Sequence, residues 1–143
     1  MGDLMHALPA LTDASKECPG IEFDWVVDEA FADIPAWHPA VKNVIPSAHR
    51  RWKENITQSA RSGQLSSFYR QLNQNDYDVV LDAQNNLKSA FISMLRRGKT
   101  HGLDKDSIRE KPAHWAYKYR YSNDKSQHAI ARQRQLFAQA IGY

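Results

Sequence analysis

The chain has 143 residues, of which 42% are apolar and 24% are charged, and its formal net charge is +3. This length suits one domain with its own core, and the ordinary composition excludes a disordered chain. No apolar run approaches the roughly 20 residues of a membrane-spanning helix, no signal-peptide pattern is present, and the single cysteine, Cys18, excludes an internal disulfide and fits a reducing cytosol.

Helical spacing of apolar residues predicts a first helix over residues 4–17, with Asp3 as its N-cap and a kink at Pro9. The alternating segment 21–27 predicts a strand, because it is rich in residues that favour β-structure. The next predicted elements are a short helix over residues 28–34, a short strand at 44–45 and a helix over 63–73.

The second half of the chain repeats this alternation. Residues 77–82 are the strongest predicted strand, since their apolar centre contains neither Gly nor Pro. A helix over 87–97, with Leu87, Ala90, Phe91, Met94 and Leu95 at helical spacing, a strand at 100–103 and a helix over 126–141 follow. This order predicts an α/β fold with a Rossmann-like, doubly wound parallel sheet. Such a domain normally begins with a strand, whereas the first predicted element here is a helix.

Asp3 is the first candidate for chemistry. In an open α/β sheet, ligands bind at the carboxyl ends of strands, against the amino ends of the helices that follow. A carboxylate there can act as a general base, and the helix dipole keeps it ionised at neutral pH. The alternative, which position alone favours, is that Asp3 only caps the helix. His6, one turn later, either contacts a ligand or lies at the surface.

Asp82 stands at the predicted carboxyl end of the strongest strand, and Gln84, Asn85 and Asn86 follow it. Polar residues at that edge of a parallel sheet often bind ligands. An equally good interpretation is structural, in which Asp82 closes a loop by accepting hydrogen bonds from backbone N–H groups.

Basic residues point to an anionic partner. Arg50, Arg51 and Lys53 surround Trp52 in a segment whose pattern predicts a loop, and Arg109 follows another polar loop. Guanidinium groups bind phosphate and carboxylate well, so the partner is a phosphorylated small molecule, a nucleic acid or an anionic membrane surface. A solvated face explains the same residues equally well. Two further basic runs are Arg96-Arg97-Gly98-Lys99 and Lys118-Tyr119-Arg120.

Several kinds of site have no motif to support them. The sequence contains no CxxC or HxxxH pattern, so no metal site is predicted. It also contains neither a GxGxxG nor a GxxxxGK phosphate loop. A serine nucleophile is not predicted either, because no GxSxG elbow occurs.

Segments in the same order along nearly the whole chain resemble the lipopolysaccharide heptosyltransferases. The opening MGDLMHALPALTD (1–13) is similar to the segment after that family's first strand. The other similar segments are PGIEFDWVV (19–27), FADIPAWH (31–38), VIP (44–46) with RRW (50–52), YDVVLDAQ (77–84), LKSA (87–90), HG (101–102), IRE (108–110) and HAIARQRQLFAQAIGY (128–143). Ordered matches of this extent are much more specific than any single motif.

The resemblance implies an inverting GT-B glycosyltransferase, of which residues 1–143 form the acceptor-binding Rossmann-like domain. It implies transfer of heptose from ADP-heptose to the Kdo sugar of Kdo-lipid A in lipopolysaccharide inner-core biosynthesis. The family's catalytic aspartate matches Asp3, which would take the proton from the Kdo hydroxyl. The acceptor-binding arginines match Arg50, Arg51 and Arg109, with Lys53 as a helper. Their expected partners are lipid A phosphates and Kdo carboxylates.

The same resemblance implies a place in the cell and a set of partners. The enzyme is expected in the cytoplasm, in peripheral contact with the cytoplasmic face of the inner membrane. It is expected to need no metal and no cofactor, since ADP-heptose is the donor substrate and binds a separate domain. No nucleic-acid partner is implied.

The sequence also departs from the family. It lacks the first strand, with its Lys- and Ser-containing turn, and the donor domain, so we expect the isolated chain to be inactive. The missing strand would lie between segments 21–27 and 77–82 and leave a gap of roughly 9–10 Å, so these strands either pair or the domain is poorly stable. We therefore hypothesise a truncated product or fragment. Asn85-Asn86 replaces a segment that usually has Gly after Gln84, which leaves the geometry of that loop open.

Two other functions remain open. One is a sibling lipopolysaccharide heptosyltransferase that uses another acceptor sugar. The other is a non-catalytic basic module that binds nucleic acid or lipid head groups. Tight, salt-sensitive binding to generic DNA would favour the module.

Overall fold

The computed structural model describes residues 2–48, 52, 54–96 and 99–143, and of Gly2 and Asp3 it describes the backbone. The chain divides into two compact units. The first unit comprises Met1–Ile21 with Tyr77–Tyr143, and the second unit comprises Glu22–Asp76. Every ladder between the described strands is parallel. The predicted α/β fold with parallel sheets is confirmed, and the assignment of residues 1–143 to one acceptor-binding domain stays a prediction.

Helices and strands alternate along most of the chain, as predicted. The elements are α1 (Gly2–Glu17), β1 (Phe23–Asp28), α2 (Asp33–Ala36), β2 (Val41–Ser47), α3 (Ile56–Arg61), α4 (Gln64–Leu72), β3 (Val80–Leu81), α5 (Leu87–Leu95), β4 (Thr100–Leu103), β5 (Tyr119–Tyr121) and α6 (Ala129–Ile141). Two 3₁₀ turns, Glu29–Phe31 and Lys111–Ala116, complete the description. The sequence patterns did not predict α3, β5 or the second turn.

The first unit is built on a three-stranded sheet in the order β3-β4-β5. All four residues of β4 are buried, because the strand has a parallel neighbour on each side. The core beneath this sheet joins α5, α6 and the second turn through Ala90, Leu103, Ile108, Tyr117 and Leu136. This packing brings residues that are far apart in the sequence to the edge where β3 ends.

Helix α1 packs against α6 in the first unit. Its buried residues Leu4, Ala7, Leu11 and Ala14 follow the helical spacing that the sequence predicts. The helix begins at Gly2, so Asp3 belongs to its first turn and the predicted N-cap at Asp3 is wrong by one residue or more.

The second unit has a two-stranded sheet in which β1 and β2 pair from Phe23↔Val41 to Asp28↔Ser47. Strand β2 is longer than the predicted 44–45, because it pairs along the whole length of β1. Helices α2 and α4 pack against β2. The buried apolar residues of this unit are Val27, Ile34, Ile45, Ala48, Phe68 and Leu72.

Two local predictions are wrong. Trp52 and Glu54 are helical rather than in a loop, and the Trp52 N–H donates to the Ala48 carbonyl oxygen at 2.9 Å. Strand β3 covers only Val80–Leu81 of the predicted 77–82, because its partner β4 begins at Thr100, which pairs with Val80. Residues 77–79 therefore lie beyond the amino end of this ladder.

Candidate functional site

Asp82 follows β3 directly and is the centre of a buried polar cluster. Its Oδ1 accepts hydrogen bonds from the backbone N–H groups of Gln84 (3.1 Å) and Asn85 (2.9 Å). Its Oδ2 accepts from Ser89 Oγ (2.8 Å) and from the Tyr117 hydroxyl. Four donors from a loop, a helix and the end of a 3₁₀ turn thus converge on one carboxylate.

The electrostatics of this cluster follow from its burial. Burial raises the pKa of Asp82 above its usual range, and the four hydrogen bonds that it accepts act in the opposite direction. Only an ionised carboxylate can accept from all four donors. Burial, and then the charge of Asp82, raise the pKa of Tyr117, so the tyrosine keeps its proton and donates it.

The loop after Asp82 is held by its own side chains. Asn85 has φ 53°, in the left-handed region that Gly and Asn adopt most easily. Its Oδ1 accepts from the Leu103 N–H at 2.8 Å, a bond that glycine cannot make. Asn86 caps α5 by accepting from the Ser89 N–H at 2.9 Å. Asn85 thus adopts a conformation that also suits glycine, and adds a bond across the loop that glycine lacks.

These contacts decide between the two interpretations of Asp82. Among the described residues, its carboxylate accepts from Gln84, Asn85, Ser89 and Tyr117, and these bonds tie the loop, α5 and Tyr117 together. The structure therefore supports the loop-closing role, and the ligand-binding role of Asp82 is not supported.

Strand β4 carries two residues, His101 and Gly102, whose contacts the sequence did not reveal. A Cβ at Gly102 would overlap the ring of Tyr117, so this close approach requires glycine. The His101 ring stacks on Tyr119 with centroids 4.6 Å apart, and its Nδ1 lies 2.7 Å from the Tyr121 hydroxyl. Burial lowers the pKa of His101.

The second unit has an open pocket of about 370 Å³ at the carboxyl ends of β1 and β2. Trp52 forms part of its wall. Its Nε1 donates to Gln64 Oε1 at 2.7 Å, and the centroids of the Trp52 and Phe68 rings lie 5.1 Å apart. The carboxyl edge of a parallel sheet is where α/β proteins bind ligands. The lining residues are Glu29, Pro46, Ala48, Trp52, Ser62, Gly63, Gln64, Ser67, Phe68 and Gln71.

The predicted site residues are distributed over both units. Asp3 lies in the first turn of α1, but its side chain, and the whole of Arg50, Arg51 and Lys53, lie outside the described residues. Arg109 is exposed in the first unit. It stands between the fully buried Ile108 and Glu110, whose Oε2 accepts from the Leu87 N–H at 2.8 Å. The roles of all five stay predictions.

His6 has an imidazole neighbour that its spacing along the sequence does not reveal. The His6 and His128 rings lie 6.2 Å apart in an edge arrangement. Within the described ranges, no group of three or more His, Cys, Asp or Glu residues could hold a metal ion. No helix in that part of the chain has the length and apolar character to cross a membrane.

The fold is that of an α/β protein with parallel sheets, and similarity to known proteins identifies its family. The sequence profile of glycosyltransferase family 9 (heptosyltransferase) matches residues 65–143. The chain belongs to this family. The resemblance noted in the sequence is thereby confirmed.

Particular relatives extend the match to the whole chain. The chain is 54% identical over 145 residues to lipopolysaccharide heptosyltransferase 1 of Pseudomonas aeruginosa, covering 100% of this chain and 41% of that protein. It is 46% identical over 144 residues to lipopolysaccharide heptosyltransferase 1 of Escherichia coli K12, covering 100% and 45%. The chain spans less than half the length of these relatives.

Two solved structures share its fold. The E. coli heptosyltransferase WaaC with ADP superposes with a TM-score of 0.96 at 46% identity, over 100% of this chain and 45% of that chain. The same enzyme with ADP-2-deoxy-2-fluoro heptose gives a TM-score of 0.95 at 46% identity, over 100% and 46%. The arrangement of parallel strands and helices in this chain is therefore the one found in a heptosyltransferase.

Proposed function

We propose that this chain is the acceptor-binding part of a lipopolysaccharide heptosyltransferase with a GT-B fold. The enzyme transfers heptose from ADP-heptose to the Kdo sugar of Kdo-lipid A in inner-core biosynthesis. The observation that carries the proposal is the 54% identity along the whole chain to P. aeruginosa lipopolysaccharide heptosyltransferase 1. The superposition on an E. coli heptosyltransferase with ADP supports ADP-heptose as the donor.

Asp3 is the proposed general base. It removes the proton of the Kdo hydroxyl while that oxygen forms a bond to the anomeric carbon of heptose. The bond from this carbon to the phosphate breaks on the opposite face, ADP leaves with the electron pair, and the anomeric configuration inverts. Its position in the first turn of α1 supports the role, because the positive end of the helix dipole favours an ionised carboxylate.

Arg50, Arg51, Lys53 and Arg109 are the proposed acceptor-binding residues. They would pair with the phosphates of lipid A and the carboxylates of Kdo, for which guanidinium geometry is suited. Two observations support them. Trp52, which lies between Arg51 and Lys53 in the sequence, forms part of the wall of the open pocket. Arg109 is exposed next to the buried Ile108.

The proposed enzyme works in the cytoplasm, at the cytoplasmic face of the inner membrane, with which it makes peripheral contact. Its acceptor carries acyl chains, so the reaction has to take place where those chains are held. The proposal includes no metal, no cofactor besides the donor substrate and no nucleic-acid partner.

A chimera tests this function. Residues 1–143 replace the matching segment of the P. aeruginosa relative, and ADP release is measured with ADP-heptose and Kdo-lipid A. We expect release only when both substrates are present. Arg109→Ala is expected to raise the acceptor KM about tenfold, as for loss of one charged hydrogen bond, without changing the donor KM. The exposed Arg70 on α4 gives a matched control, Arg70→Ala.

The outcomes separate the alternatives. Release with a different acceptor sugar, and none with Kdo-lipid A, would assign the chain to a sibling heptosyltransferase. No release with any acceptor, from a folded chimera whose parent is active, would contradict the proposal and favour a non-catalytic binding module.

A further inference from the structure

We propose that the outer face of α5 docks the protein on a membrane that contains anionic lipid. The inference rests on the proposed function only in that a lipid acceptor brings the enzyme to a membrane. Leu87, Phe91 and Met94 are 51%, 62% and 69% exposed. Their spacing of four and three residues places them on one face of the helix. We call these three residues the apolar face.

Helix α5 has apolar residues on its exposed side, where an ordinary surface helix has polar ones. Ser89 faces the protein, where its Oγ donates to Asp82 Oδ2 at 2.8 Å, and Ser93 Oγ donates within the helix to the Ser89 carbonyl oxygen at 2.9 Å. Lys88 is the only charged residue of the nine in α5. A helix in contact with water normally exposes polar residues. The hydrogen bond from Ser89 to Asp82 and the burial of Ala90 thus fix an orientation in which the apolar face points outward and needs an apolar partner.

The neighbouring turn adds an exposed aromatic residue. The 3₁₀ turn Lys111–Ala116 packs against α5, and Glu110 just before it accepts from the Leu87 N–H at 2.8 Å. Trp115 in this turn is 76% exposed. Tryptophan favours the boundary between water and lipid, because its ring is apolar and its N–H is polar.

The charge around the apolar face selects the partner. Residues 87–120 contain nine Lys and Arg against three Asp and Glu. Lys88, Lys111 and Lys118 are exposed there. Apolar side chains bordered by cations fit a bilayer with anionic head groups, into which the side chains insert while the cations pair with phosphate. A second copy of this chain fits poorly, because it would bring two basic borders together.

Vesicle sedimentation of the 143-residue chain tests the proposal. The vesicles are phosphatidylethanolamine with phosphatidylglycerol, or phosphatidylcholine alone, and contain neither lipid A nor ADP-heptose. The test variant is Phe91→Ser with Met94→Ser. The control is Ile56→Ser on α3, since Ile56 is 64% exposed and thus matches Phe91. Circular dichroism and thermal melting verify that each variant is folded.

We expect the wild-type chain and the control to bind vesicles with phosphatidylglycerol, more strongly at low salt, and to bind phosphatidylcholine weakly. The double variant should bind at least about tenfold more weakly, because two inserted side chains are lost. Equal binding by the control and the double variant, or no binding by the wild type, would overturn the proposal. So would a dimer, detected by sedimentation velocity, that the double variant dissociates without any vesicle binding by the wild type.

The chimera separates this proposal from the proposed function. The double variant in the chimera should lose vesicle binding and keep ADP release with a detergent-dispersed acceptor. A chimera that binds vesicles but releases no ADP would contradict the proposed function and leave the docking face supported. A chimera that releases ADP but does not bind vesicles, although the shorter chain does, would overturn the docking face, because the rest of the protein would then cover α5.

Discussion

The two units end their parallel strands differently. After β3, in the first unit, the buried carboxylate of Asp82 accepts from four groups of the protein, and the loop above it is closed. After β1 and β2, in the second unit, an open pocket lies beside Trp52 and Gln64. Both are places where α/β proteins bind ligands. The difference shows that a strand end is a candidate ligand site only if its polar groups are not already hydrogen-bonded to one another.

Removal of the Asp82 carboxylate should give the largest loss of stability, because it removes the centre of the closed loop in the first unit. Asp82→Ala leaves four donors without their acceptor, two of them buried, so we expect the free energy of unfolding to fall by about 3–5 kcal/mol. Urea denaturation measures this loss. The exposed Asp78 on the same segment gives the control Asp78→Ala, which should change stability by less than about 0.5 kcal/mol. Similar values for the two variants would show that the cluster does not stabilise the unit.

The next largest loss of stability should come from the close approach of the Tyr117 ring to Gly102 on β4. Gly102→Ala places a methyl group inside the Tyr117 ring, and we expect a loss of about 2–3 kcal/mol, in the range for overpacked cores. The matched test is a double-mutant cycle with Tyr117→Ala. The two losses should be clearly less than additive, because the clash disappears with the ring. Additive losses would mean that Gly102 matters for another reason.

A substitution at the open pocket of the second unit should cost less stability. Gln64→Ala removes the acceptor of Trp52 Nε1 in a part of the chain that water reaches, so the loss of stability should be about 1 kcal/mol. In the chimera, the acceptor KM should rise while the donor KM stays unchanged. Gln74→Ala, exposed and outside the pocket, is the control. A change in the donor KM would place Gln64 in a different role.

The smallest effect should come from pH. Burial lowers the pKa of His101 below its ordinary value near 6.5, so its folded form favours the neutral ring. This stability is present above pH 6.5 and is lost as the pH falls through the lowered pKa of the folded state. We expect the melting temperature to fall on acidification, and His101→Gln to reduce this slope. Burial also lowers the pKa of His38 in the second unit, so His38→Gln should act in the same direction. An unchanged slope in both variants would contradict the assignment.

Local patterns predicted most of the elements, since the spacing of apolar residues reports helices and strands directly. They did not predict β5, because Tyr119–Tyr121 is a strand only through its pairing with β4. The periodicity of α5 also did not reveal which side is buried. Ala90 points into the core, whereas Leu87, Phe91 and Met94 are exposed.

The candidate sites were predicted less completely, since their contacts are long-range. The Tyr117 hydroxyl donates to Asp82 although the two residues are 35 positions apart in the sequence. No pattern near Asp82 predicts this contact. The choice between a ligand site and a closed loop therefore depended on the fold. Position and charge alone singled out Asp3, Arg50, Arg51, Lys53 and Arg109, whereas their specific roles came from the resemblance and stay predictions.

The most direct test of the account compares two aspartates that the sequence placed in similar positions. Turnover and melting temperature are measured in the chimera for Asp3→Asn and Asp82→Asn. Asp3→Asn should lower kcat by about 10²–10⁴-fold with an unchanged melting temperature, as for loss of a general base. Asp82→Asn should lower the melting temperature and leave kcat nearly unchanged where the enzyme is folded. Full turnover by Asp3→Asn, or a folded Asp82→Asn enzyme without turnover, would contradict the account.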